Sequence, residues 1–152
     1  MIQIKTDEEV GVMRESAKLA AEVLLMIEPY VKPGVTTNRL NDLCHDFIVS
    51  GGAVPSPLNY RGFPKSICSS INEEICHGIP SDRKLRNGDI VNLDITTYLN
   101  GFHGDTSKTF YVGSPRKKTS RLVETCKESL QSAIEVVRPG ARLGDIGATI
   151  KN

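Results

Sequence analysis

Apolar positions along this chain recur with two periods, and the period tells which element to expect. Between residues 88 and 112, the alternation ahead of Asn100-Gly101 is clean. Val91, Leu93 and Ile95 fall on one face of a strand, and Asn92, Asp94 and Thr96 on the other. Asn100-Gly101 interrupts the run; both residues tolerate positive φ, so the pair predicts a type I′ turn and a β-hairpin. With those two as the loop, Leu99 faces Phe102, Thr96 lies opposite Asp105, and Asp94 opposite Ser107.

Elsewhere the spacing is helical. Thr6-Asp7-Glu8-Glu9 forms a capping box ahead of Val10, Met13, Ala17, Ala20, Leu24 and Ile27. That stripe predicts a helix of about six turns ending near Pro29. After a turn at Val31-Lys32-Pro33-Gly34, a second helix is capped by Thr36 or Thr37. It carries Leu40, Leu43, Phe47 and Ile48 inward and stops at Gly51-Gly52. Residues 53–65, with three prolines, read as a loop, residues 66–70 as a strand, and residues 74–79 as its partner across a turn at 71–73. Residues 113–118 form a linker. Leu122, Val123, Cys126, Leu130, Ile134 and Val137 then mark a third helix, ended by Arg138-Pro139-Gly140 with Arg138 against the negative end of its dipole. Leu143, Ile146 and Ile150 begin a fourth stripe that reaches Asn152 without a cap. So short a helix is marginal alone, and the polypeptide is expected to continue.

The hairpin register has a chemical consequence. Asp94 and Asp105 become diagonal neighbours on one face, about 7–8 Å apart at the backbone, within joint reach of one ion. Two converging carboxylates are costly without a positive charge between them, and a divalent cation is the simplest. Two solvated aspartates on an exposed sheet face fit the same pattern, and a slip or bulge would separate them; the residues alone leave both readings open. Tyr60 and Phe63, on the proline-rich loop, read either as the wall of an apolar pocket or as a seal on the core edge, the commoner outcome. A lone histidine such as His77 is more often structural than catalytic.

Composition narrows the class without choosing within it. Across 152 residues, 24% charged and 39% hydrophobic, the chain reads as one soluble domain able to bury about two-thirds of its unfolded surface. A net charge of +1 argues against binding nucleic acid through a broad basic face. Arg116-Lys117-Lys118 with Arg121 reads as a solvated helix start. No secretory h-region follows the N-terminus, and Val23 to Ile27, the longest apolar run, is too short to span a bilayer. Cys44, Cys68, Cys76 and Cys126 lack CxxC or finger spacing and read as reduced, mostly buried thiols of a cytoplasmic protein, with no structural zinc site.

Several stretches, taken together and in order, are specific. Lys18-Leu19-Ala20-Ala21-Glu22-Val23-Leu24, Phe63-Pro64-Lys65-Ser66, Cys76-His77-Gly78-Ile79-Pro80, Gly88-Asp89-Ile90-Val91-Asn92-Leu93-Asp94 and Gly101-Phe102-His103-Gly104-Asp105-Thr106-Ser107-Lys108 carry a resemblance over essentially the whole chain. It resembles type I methionine aminopeptidase, N-terminal half only. The resemblance implies an α+β pita-bread half-fold, an antiparallel sheet with helices on one face, and a single domain over residues 1–152. It implies metal-dependent removal of the N-terminal methionine from nascent peptides. Asp94 and Asp105 match metal ligands of two divalent ions (Co, Mn, Fe or Zn), and His77 the histidine that contacts substrate and helps stabilise the tetrahedral intermediate. Tyr60, Phe63 and Cys68 match the methionine pocket; Phe63 stands where tyrosine is common, and Pro57 replaces a residue that is often small or cysteine. A histidine and two glutamates completing the metal cage belong to a second half absent here, so the chain alone is expected to bind metal weakly and release little methionine. The other reading is a truncated, non-catalytic binding module. The implied partners are peptides only, with no nucleic acid and no membrane, and a monomer rather than a dimer.

Overall fold

A computed structural model describes residues 2–151, which fall into two compact units divided between Ser114 and Pro115. In the first unit α1 (Asp7–Ile27) starts at the expected capping box: Glu9 N donates to Thr6 Oγ1 at 3.2 Å and Thr6 N to Glu9 Oε2 at 2.8 Å. A short 3-10 turn, Glu28–Tyr30, ends it at Pro29. Thr36, the nearer of the two candidate caps, starts α2 (Thr37–Ser50) by accepting Arg39 N at 3.1 Å. Gly51 caps α2, and Gly52 takes the positive φ of +77°.

Four strands follow: β1 (Val54–Pro55), β2 (Cys68–Ile71), β3 (Ile90–Leu99) and β4 (Phe102–Tyr111). β3 is the central strand, antiparallel to β4 along one edge and to β1 and β2 along the other. The hairpin has the anticipated register, Leu99 opposite Phe102 and Asp94 opposite Ser107, with Asn100 and Gly101 at φ +50° and +88°. Val91, Leu93 and Ile95 are fully buried in one core with Ala20, Val23 and Ile27 of α1 and Leu40, Cys44 and Ile48 of α2. Burial of this kind is worth about 1.5–3 kcal/mol per large aliphatic side chain. The polar face of β3 is thereby left to carry chemistry.

Several expectations need correction. Residues 74–79 are not a strand; β2 pairs with β3 instead. Ile75 is 94% exposed and His77 has φ +54°, so this stretch has neither the burial nor the backbone for a ladder; it bonds β2 through Glu74 N to Ile71 O and through Gly78, whose amide donates to Ser70 Oγ and whose carbonyl accepts Ser69 N. Within the expected 53–65 loop, Val54 and Pro55 pair with Tyr98 and Thr97, and Tyr60–Gly62 forms a 3-10 turn. A proline is tolerated there because β1 lies at a sheet edge. Two cysteines, Cys76 and Cys126, are exposed rather than buried, because the first lies in the 74–79 turn and the second on the open side of a helix. On α1, Ser16 replaces Ala17 on the buried face, because the Ser16 main chain meets Gly104 of β4.

The second unit holds α3 (Lys117–Glu135) and α4 (Leu143–Lys151). α3 ends before Val137, so Arg138 lies beyond its last turn rather than on the dipole. Ala133 is its only buried residue; Leu122, Leu130, Ile134 and Val137 are exposed. Val137-Arg138-Pro139-Gly140 repeats the pattern of Val31-Lys32-Pro33-Gly34. The two glycines share φ near +90° (+88° and +90°), and α4 starts at Leu143 as α2 does at Thr37. The expected chain end at Asn152 lies outside the described residues.

Candidate metal centre

Strict alternation on β3 and a two-residue turn fix where the two aspartates lie. Asp94 projects from the polar face of β3; Asp105 projects from β4 opposite Thr96, whose hydroxyl donates to Asp105 Oδ1 at 3.3 Å. The carboxyl groups come within hydrogen-bonding reach of each other, so they share the face as the register requires. Burial raises the Asp94 pKa above the ordinary carboxylate value, the Asp105 charge and a hydrogen bond with Asp105 raise it further, and His77 works the other way. Neither aspartate belongs to an ion pair among the described residues. Two converging carboxylates with no cationic side chain paired to them repel each other when both are ionised, a cost that a cation between them would relieve.

Cys68 sits beside the pair, its Cα directly across from that of Asp94. Its thiol is pushed up to about 11 by burial, then by the charges of Asp94, Cys76 and Asp105, which keeps it protonated and apolar. His77 is on the 72–79 turn, close enough to Asp94 to favour its charged form. Tyr60 and Phe63 stand on a separate turn closed by Tyr60 N to Pro57 O at 3.0 Å and Asn59 N to Phe63 O at 2.8 Å. Tyr60 is 64% exposed, with the Arg61 guanidinium 5.4 Å from its ring centre, so it does not seal the core. The structure thus brings Asp94, Asp105, Cys68 and His77 into one neighbourhood, and holds the two aromatic residues on a hydrogen-bonded loop of their own.

Some supporting residues have no sequence signal. Ser66 is buried at the foot of β2, where its amide donates to Asn41 Oδ1 at 2.8 Å and its hydroxyl meets His45 Nδ1 at 2.8 Å, fastening the strand to α2. Thr97 is buried on β3 and bonds the Ser16 carbonyl at 2.9 Å, fastening the hairpin to α1. Nothing in the spacing of these residues reveals partners so distant along the chain.

A metal-free chain with this site should carry a measurable penalty. Because the folded protein raises the Asp94 pKa, it binds a proton more readily than the unfolded chain. Its contribution is therefore most favourable below the ordinary carboxylate value and is lost as pH rises from there through the raised value. Asp94→Asn removes the neutral-pH repulsion. Melted in a chelator at neutral pH, the variant is expected to gain roughly 0.2–1 kcal/mol, the scale of a cross-strand charge pair. The gain should fade in acid, and a variant less stable at neutral pH would contradict the account.

Residues 11–152 match metallopeptidase family M24. The chain belongs to that family. It is 56% identical to the methionine aminopeptidase of Rickettsia prowazekii over 99% of its own length and 58% of the relative's. It is 55% identical to the methionine aminopeptidase of Escherichia coli strain K12, again over 99% of its length and 58% of the relative's. A crystal structure of the Rickettsia prowazekii enzyme superposes with a TM-score of 0.97 at 57% identity, covering 99% of this chain and 60% of that one. The chain thus spans little more than half the length of these relatives. Its α+β architecture, an antiparallel sheet with helices against it, is the pita-bread fold of this family.

Membership of a metallopeptidase family implies divalent metal. The site fits that demand in part: Asp94 and Asp105 offer the oxygen donors that divalent cations prefer, already converged and without a protein cation. Among the described residues no group of three histidine, cysteine, aspartate or glutamate side chains is placed to hold an ion. Most of the coordination shell is therefore left to other donors.

Proposed function

We propose that this chain is the N-terminal half of a methionine aminopeptidase catalytic domain, and that residues 1–152 serve the removal of N-terminal methionine from nascent peptides in the cytoplasm. The observation that carries the reading is the Asp94–Asp105 pair, converged on one face in a chain this similar to methionine aminopeptidases. Asp94 and Asp105 hold two divalent ions, of Co, Mn, Fe or Zn, with donors from the missing half. Bound there, such ions polarise a carbonyl and activate water near neutral pH.

The chain's own residues do the rest. His77 donates a hydrogen bond to the substrate carbonyl oxygen as negative charge builds there. Tyr60, Phe63 and the protonated Cys68 form an apolar pocket for the methionine side chain. Such a pocket discriminates by only about 1–3 kcal/mol per methylene, so shape around the next residue must contribute. The protein works on peptides as a monomer, without nucleic acid or membrane. Among the described residues no helix is long and apolar enough to cross a bilayer.

The helix–turn–helix of the second unit repeats the one that opens the first, which supports a further sheet completing the fold. The test is complementation. Alone, the chain is expected to release methionine from a Met-Ala-Ser peptide at background rate. Mixed with the C-terminal part of the Rickettsia prowazekii relative that it does not span, it should gain a release that a chelator abolishes. Robust release by the chain alone, or none from a mixture shown to associate, would overturn the reading.

A further inference from the structure

The turn carrying His77 closes on one carboxylate. Glu74 Oε2 accepts the Ile71 amide at 3.0 Å, and Oε1 accepts Arg83 Nη1 at 3.0 Å in an ion pair. Gly78 packs against the same group: a Cβ there would lie 2.8 Å from Glu74 Oε2 and would collide with the Ser69 carbonyl. Ser69 N donates to Gly78 O at 2.8 Å, and Gly78 N donates to Ser70 Oγ at 3.2 Å.

Between these anchors two non-glycine residues take left-handed backbone, Asn72 at φ +54° and His77 at φ +54°. Such conformations persist only where the surroundings over-determine them, and they gather at functional sites. The Glu74–Arg83 pair is well exposed, its side chains 39% and 42% accessible. A pair so exposed adds little stability. Its effect is geometric: one carboxylate ties the end of β2, the His77 turn and the segment leaving that turn.

We propose that Glu74, backed by Arg83, is a positioning residue that sets the His77 imidazole toward Asp94. The inference rests on Asp94 and Asp105 holding metal, and goes beyond that reading by naming what aims His77. It is tested on the intact chain by nuclear magnetic resonance with Mn²⁺ alone, whose paramagnetism broadens nearby protons. In wild type, the amides of residues 94 and 105 and the His77 ring protons should broaden together.

Glu74→Ala should lose most of the His77 broadening while residues 94 and 105 broaden as before. Glu74→Gln keeps an oxygen for the Ile71 amide and should lose less, and Arg83→Gln should show the same selective loss in a chain whose turn retains Glu74. A merely structural role would weaken all three signals together or none, and either result overturns the proposal. Unchanged His77 broadening in folded Glu74→Gln and Arg83→Gln overturns it as well, leaving the metal reading intact. Absence of broadening at 94 and 105 in wild type removes the metal reading itself, and the proposal with it.

Discussion

Asp105→Asn is expected to lose roughly tenfold or more in affinity for Mn²⁺ or Co²⁺, measured by isothermal titration. Removing only a residue that orients a metal ligand typically costs about 10–100-fold in affinity, so deleting a ligand oxygen's charge should cost at least as much. Asp105 accepts a long hydrogen bond from Thr96 and otherwise meets the Asp94 carboxyl group. Asparagine fits the same space, so the fold should survive. Wild-type binding is itself expected to be weak, because among the described residues no third donor completes the set. Asp46→Asn, which alters an exposed aspartate on α2, should leave the isotherm unchanged. Equal affinities for wild type and Asp105→Asn would show that the pair does not hold metal.

Gly104→Ala should be among the most damaging small substitutions in the first unit. A Cβ at Gly104 would overlap the Ser16 carbonyl and touch the Ala17 nitrogen, all main-chain atoms of α1. The helix cannot step back freely. Thr97 Oγ1 donates to the Ser16 carbonyl at 2.9 Å, and Ser16 Oγ lies 3.0 Å from Thr97 Oγ1, in a fully buried contact. Overpacking of this kind typically costs about 1–3 kcal/mol, and backbone against backbone belongs at the upper end. At this chain length a loss of roughly 3 kcal/mol lowers the melting temperature by about 6–12 °C. Gly11→Ala is the opposite case: it lies in α1 with nothing within 4 Å of its added methyl. Relief of backbone entropy should stabilise that variant by about 0.5–1 kcal/mol. Finding both variants destabilised alike would mean that the close α1–β4 approach does not set the response.

How much of this was legible beforehand depended on how local the cause was. The α1 capping box, the Asn100-Gly101 turn and the alternation along β3 each involve neighbours in sequence, and each came out as read. The Asp94–Asp105 pairing is farther apart, yet a two-residue turn converts it into counting. Residues 74–79 do not form a strand because a short stretch following a strand does not say which edge it will join: β3 is already β2's partner, and His77 at positive φ turns the chain aside. The α1 stripe was misjudged at residues 16 and 17 because only the approach of Gly104 decides which of them is covered.

By itself, then, the sequence determined the helices, the hairpin and its register, and with them the convergence of two carboxylates, since capping, periodicity and turn chemistry act over a few residues. Only the tertiary structure decided what lies across from what: Ser66 on Asn41 and His45, Thr97 on Ser16, and Glu74 on Arg83 beneath the His77 turn. Those contacts join residues from nine to 81 positions apart in the chain. Their energy is realised only once the core has closed, so no local pattern foretells them.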